Sequence, residues 1–213
     1  MNSILVLLIV FFWSLISPML INTIQGDVSD CIFIGSYGGG YSGFWYYYGQ
    51  IQKEYILDKK MYCFSAGCLA PVASIQHNNY DNLINIAYDL QKKYINNEID
   101  RFDVRNEFIY KLANKVTNIY YYDLNILTSN YFGNCTIVRP KTKNELIDAL
   151  NQTTNIPFIT SRLDILQNID GGLCMNNYPS CKKKIRMPLT YKFITNILNL
   201  NMKKYEIEYF MNY

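Results

Sequence analysis

The stretch Met61 to Cys68, MYCFSAGC, restricts the fold of this chain more than any other. An apolar run from Met61 to Phe64 delivers a serine followed by the two smallest residue types, Ala66 and Gly67, and a second apolar run leads away from Leu69. Strand, sharp corner and helix are what that order spells. Small neighbours let the backbone bend at Ser65 without a Cβ clash, and such a corner holds a hydroxyl out at a strand end. Ser-Ala-Gly is equally an ordinary tight turn, so its meaning depends on what else the chain brings to the same edge.

Two other stretches are placed to do so. Cys31-Ile32-Phe33-Ile34 reads as a buried strand that runs into Gly35-Ser36-Tyr37-Gly38-Gly39-Gly40-Tyr41-Ser42-Gly43, and Phe44 to Leu57 reads as a helix packed on a sheet. A strand, a glycine turn and a helix start leave unpaired backbone N–H groups aimed at one spot, which the helix dipole makes favourable for an anion. The Gly38, Gly40, Gly43 spacing also suits a dinucleotide site, but the acidic residue such a site needs is matched only loosely by Asp58. A phosphate loop would end in Gly-Lys-Ser/Thr, which is missing here. An oxyanion hole is the reading that remains. Downstream, Asp170-Gly171-Gly172 is by itself a turn, yet in this order it closes a strand at the edge that carries Ser65 and the glycine loop.

The 213 residues are half hydrophobic, enough for one domain with a substantial core. A net charge of +3 gives no footprint for nucleic acid, and one histidine excludes chemistry that needs several imidazoles. Residues 1–26 hold an uncharged apolar run from Ile4 to Ile16 with Ser14 its only polar residue, which reads as a secretory signal peptide or a signal anchor. Residues 27–213 then form a single domain on the lumenal or extracellular side. Six cysteines suit that compartment. Cys174 and Cys181, which bracket the turn-rich loop MNNYPS, are the preferred pair, and Cys63 and Cys68 read as small buried hydrophobes. Asn134-Cys135-Thr136 and Asn151-Gln152-Thr153 are acceptor sequons.

Along the rest of the chain, helices are expected at Ala66 to Gln76, Tyr80 to Asn96, Phe102 to Leu112, Thr142 to Leu150 and Tyr191 to Leu200. Strands are expected at Asn118 to Leu127, Asn134 to Val138 and Ile156 to Thr160. Arg101, Asp103, Arg105 and Glu107 read as solvated helix charges, and Cys181 to Arg186 as a solvated basic face, with contact to anionic head groups as its alternative. His77 lies at the far end of the helix after Ser65, roughly 16–18 Å of rise away. It reads as a surface or capping residue and not as a triad member.

Gly38-Gly39-Gly40-Tyr41-Ser42-Gly43, Cys63-Phe64-Ser65-Ala66-Gly67 and Asp170-Gly171-Gly172 resemble, in order, the three blocks of the patatin-like phospholipases. The likeness covers residues 31–173, leaving 174–213 as a helical tail. It implies an α/β fold, a three-layer α/β/α sandwich with a mostly parallel sheet. It also implies a Ser65–Asp170 dyad acting on lipid acyl esters, with oxyanion donors at Gly38, Gly39, Gly40 and Gly43. Cys63, Ala66, Gly67, Gly171 and Gly172 would support the elbow and the turn, with no metal, no cofactor and no third catalytic residue. Two departures stand out: Cys63 occupies the first glycine position of the serine block, and Ser42 the position where many members carry Arg or Lys.

The chemistry of the residues is consistent with a dyad. An α/β-type serine hydrolase takes its histidine after the acid, and no histidine follows His77, so a carboxylate must take the Ser65 proton directly. The expected function is a lipid acyl hydrolase working at a membrane surface. Its rivals are a non-catalytic lipid- or protein-binding member and a lipid acyltransferase.

Overall fold

The structure, a computed structural model, describes residues 29–35, 39–76, 80–117, 122–162, 168–174 and 178–213. The leader segment, Gly38 and His77 lie outside these residues, as do Tyr120 and Tyr121. In chain order the elements are β1 (Ser29–Ile34), α1 (Gly40–Glu54), β2 (Met61–Cys63), α2 (Ala66–Gln76), α3 (Tyr80–Ile95) and α4 (Arg101–Ala113). Then come β3 (Leu124–Ser129), β4 (Cys135–Val138), α5 (Lys143–Thr153), β5 (Ile169–Asp170), a 3-10 turn (Gly171–Leu173), β6 (Cys181–Ile185), α6 (Tyr191–Thr195) and α7 (Lys204–Asn212).

The fold is α/β, with a six-stranded sheet ordered β4-β3-β2-β1-β6 and β5 paired on β3. β1 pairs in parallel with both β2 and β6, and β2 in parallel with β3. Only β4 and β5 run antiparallel to their partner, β3. Alternation along each strand divides the core. Ile32, Ile34, Met61, Cys63, Leu124, Ile126 and Ile185 join one large cluster with the buried faces of α1 to α7. The opposite face carries a small cluster of Cys31, Phe33, Phe64, Leu127 and Cys181, edged by Tyr62 and Tyr178. Every described helix thus buries its apolar stripe in the core shared with one face of the sheet.

The helices end where local chemistry ends them. The Asp100 carboxylate accepts from the N–H groups of Phe102 and Asp103, and the Asp103 carboxylate accepts from the Asp100 N–H. This reciprocal box opens α4; losing such a cap typically costs about 1 kcal/mol. Thr142 caps α5 by accepting from the Glu145 N–H at 3.2 Å. α7 lies so close on α1 that a Cβ on Gly49 would stand 2.1 Å from the Met211 carbonyl oxygen.

Four expectations need correction. Ile156 to Thr160 is a turn, not a strand: the Ile159 and Thr160 N–H groups both donate to the Ile156 carbonyl, and Pro157 has no N–H for a ladder. The basic run keeps its lysines solvated, as expected, but lies on a strand that the sequence reading did not assign, Cys181–Ile185, with Lys182 to Lys184 exposed and Cys181 and Ile185 buried. As an edge strand it gains from charge, which discourages another chain from pairing there. The helix expected over Tyr191 to Leu200 stops at Thr195. The cysteine pairs are Cys31–Cys181, Cys63–Cys68 and Cys135–Cys174, so neither the preferred pair nor the free Cys63 and Cys68 is found. Cys181 sits on β6 beside β1 and Cys174 faces β4, which settles partners that loop length alone could not. Three disulfides indicate an oxidising environment. Among the described residues no helix is long and apolar enough to cross a membrane.

Candidate active site

Strand register brings Ser65 and Asp170 together. β2 covers one edge of β3 only as far as the Cys63–Ile126 pair, and β4 covers the other edge from Ile126 to Ser129. β5 pairs with Thr128 and Ser129, so it must lie on the β2 edge just past the point where β2 stops. Two more residues of parallel register would have set Ser65 opposite Thr128, and that place is taken by Asp170. The chain leaves the sheet at Phe64, turns at Ser65, and the carboxyl group fills the gap it leaves.

The turn at Ser65 is enforced from several sides. Its φ is +51°, the left-handed region that a side-chain-bearing residue enters at a cost of about 1–3 kcal/mol. The Ser65 N–H donates to Thr153 Oγ1 at 2.9 Å, and the Thr153 hydroxyl donates to the Leu127 carbonyl at 2.7 Å, tying the corner to α5 and β3 at once. Gly67 lets α2 start against β1, since a Cβ there would meet the Ile34 carbonyl oxygen at 2.4 Å. The Cys63–Cys68 disulfide closes the corner across Ser65. Cys63 is therefore one end of a covalent brace around the elbow.

Asp170 is 3% exposed. Its Oδ1 accepts from the Gly172 N–H at 2.7 Å, Gly171 opens the 3-10 turn that supplies this amide, and Tyr178 donates to the Gly171 carbonyl. Burial pushes the carboxyl up to about 7, against the pull of the Ser65 side chain, the Gly172 amide and the Arg105 charge. The Ser65 side chain is near enough to pull the carboxyl pKa down, yet the buried Oδ2 has no hydrogen-bond partner among the described residues. An acceptor left open in this way is available to a hydroxyl proton, and in a base of this kind the hydrogen bond tightens in the substrate complex.

The glycine loop divides into parts. Gly39 is buried, and a Cβ there would touch the Ala66 Cβ at 3.4 Å, so the loop packs directly on the elbow. Gly40 adopts φ +45° and lines the same cavity as Ser65. Their N–H groups make no hydrogen bond among the described residues, as befits the start of a helix. The Gly43 N–H is spent on the Gly39 carbonyl at 2.6 Å, so it is not free to receive an oxyanion. Gly38 lies outside the described residues. Ser42 is fully buried and donates to the Phe193 carbonyl at 3.0 Å, joining α1 to α6. It does not face the cavity.

Ser65 opens on a cavity of about 230 Å³. Its walls are mainly apolar, with Phe44, Leu69, Leu90, Val104, Phe108 and Ile159 among them. Asp170 is not part of the wall; it stands behind the serine. Two cations do line the cavity, Arg101 and Arg105, which the sequence presents as solvated. Their neighbours behave otherwise: Asp103 caps α4, and Glu107 pairs with Lys93 at 3.1 Å. Thr153, visible in the sequence only as the third residue of a sequon, is the elbow's main polar support.

No family model matches this chain, and no curated protein matches it. No solved structure matches it either.

Proposed function

We propose that this chain is a serine-dependent lipid acyl hydrolase with a Ser65–Asp170 dyad. The observation that carries the reading is β5 filling the gap beyond β2. A buried carboxyl with a pKa near 7 is set there behind a serine that opens on an apolar cavity. A general base works best when its pKa lies near the operating pH. The order of the three glycine- and serine-bearing blocks supports placing the chain with the patatin-like phospholipases. Of the three-layer architecture expected of that family, the described residues carry the sheet and a helical layer on one face.

In the proposed reaction Asp170 takes the Ser65 proton as Oγ attacks the acyl carbonyl. The N–H groups of Gly39 and Gly40 receive the oxyanion; losing one such donor typically costs roughly 3 kcal/mol. Collapse breaks the ester bond, and the departing alcohol takes the proton from Asp170. Water then attacks the acyl-serine, giving its proton to Asp170. As the second tetrahedral species collapses, the fatty acid leaves and the proton returns to Ser65. An apolar cavity suits the acyl chain, and exposed Tyr94 and Leu198 on its wall suit approach to a lipid surface. The oxidising environment fits a secreted or lumenal enzyme whose first 26 residues act as signal peptide or anchor.

Fluorophosphonate labelling together with hydrolysis of a lipid panel tests this. Wild type should label and cleave, whereas Ser65→Ala should do neither and Asp170→Asn should lose turnover. A serine that stays unlabelled in folded wild type, with no ester cleaved, would leave only the lipid-binding reading.

A further inference from the structure

The two guanidinium groups in the cavity wall have no carboxylate in contact with them among the described residues. Arg101 and Arg105 stand one turn apart on α4, and the cavity lining holds no acidic residue. Arg105 is half-buried, and its partners are neutral: Asn106 Oδ1 at 3.1 and 2.7 Å, and the Thr154 carbonyl at 3.4 Å. Arg101 donates to the Phe158 carbonyl at 2.5 Å. A guanidinium carries five N–H donors, so each keeps some unused. Partial burial lowers the Arg105 pKa to about 10, which leaves it a cation at neutral pH. Arg101 is exposed and Arg105 partly dehydrated, so an anion entering the cavity would meet two cations that hold no carboxylate. Asp170 acts on Arg105 through space only, and a carboxyl that titrates near 7 is not a permanent counter-ion.

The cavity also limits what that ligand can be. At about 230 Å³ it is larger than a 150 Å³ cavity that holds one benzene and smaller than usual drug-sized sites. That admits one acyl chain of modest length and not two. The remaining cavity wall is mainly apolar and suits a hydrocarbon chain, which carries no charge, so an anion that answers the guanidinium pair is carried by the alcohol half of the ester. Paired planar forks match the oxygens of a phosphate.

We propose that Arg101 and Arg105 form a phosphate subsite, so that the preferred substrate is an ester with one acyl chain whose alcohol carries a phosphomonoester. The proposal rests on the hydrolase reading of Ser65 and adds to it the class of leaving group. The anion sits against α4 while the acyl chain lies along the apolar wall.

Two measurements test it. The first compares kcat/KM for monodecanoylglycerol phosphate and for uncharged monodecanoylglycerol. Wild type should favour the phosphate by at least about tenfold, and Arg105→Gln and Arg101→Gln should each shrink that ratio by about tenfold, with Arg105→Lys between. Arg101 is exposed, so its variant keeps the test readable should Arg105→Gln fold poorly. The second titrates Ser65→Ala with decyl phosphate and with decanol by calorimetry, expecting tighter phosphate binding that Arg101→Gln abolishes. Equal handling of the charged and neutral partners in both experiments overturns the subsite. Arginine-dependent decyl phosphate binding with no ester cleaved by wild type would overturn the hydrolase reading and leave the anion site standing. Ser65-dependent cleavage without any phosphate preference would do the reverse.

Discussion

Ser65 reaches the cavity on a corner fixed by covalent and backbone contacts: a disulfide across it, Thr153 on its amide and Gly67 pressed on β1. Asp170 arrives on a two-residue strand and is held by one amide on one oxygen. The serine side therefore stores its strain in a left-handed φ, and the aspartate side stores it in lost hydration. The two kinds of strain respond to different perturbations. Backbone strain is blind to pH, whereas a dehydrated carboxyl is not.

The sharpest contrast lies in the proposed dyad itself. Ser65→Ala and Asp170→Asn should each cut lipid ester turnover by at least about 10⁴-fold in initial-rate assays. Their stabilities should diverge. At pH 8 Asp170→Asn removes a buried charge and should unfold at higher denaturant than wild type, while Ser65→Ala stays within about 1 kcal/mol. A wild type at least as stable as Asp170→Asn at that pH would break the comparison.

The pH dependence follows from the direction of the shift. The folded pKa of Asp170, about 7, lies above its ordinary value of 3.8, so between them the native state holds a proton that the unfolded state has released. The contribution to stability is full below about pH 4 and falls as pH rises through 7, by roughly 4 kcal/mol in the limit. Asp170→Asn should lack that fall. Catalysis should run the other way, with kcat/KM climbing through pH 7 as the base loses its proton.

Smaller effects are expected on the serine side. Gly67→Ala would force a methyl group onto the Ile34 carbonyl and should cost about 2–4 kcal/mol, read by denaturant midpoint. Removing the elbow brace in Cys63→Ser/Cys68→Ser should cost about 2 kcal/mol, with kcat falling more than KM rises. Thr153→Val strips a partner from both the Ser65 amide and the Leu127 carbonyl and should cost about 1–3 kcal/mol. An unchanged kcat in the cysteine double variant would mean that the corner holds without its brace.

Sequence pattern exposed the serine side and hid much of the rest. The elbow, β1, the glycine turn and α3 are written in contiguous residues whose periods and small side chains speak locally. Asp170 was readable as a residue, but the pairing of β5 with Thr128 was not, because two residues have no period. β6 escaped because an edge strand with Lys182, Lys183 and Lys184 in a row reads only as a solvated basic face. Disulfide partners depend on which strands neighbour one another, which spacing does not encode. Arg105 looks like any surface charge until α4 is set beside the cavity. Thr153 matters only because α5 ends against β3.

The bond between Cys31 and Cys181 joins β1 to β6 and so encloses most of the chain in one ring. A protease that cut a surface loop between those positions would not release a fragment, and the two pieces would stay in register around the same sheet. On a gel, such nicked protein should run as one band until a thiol is added.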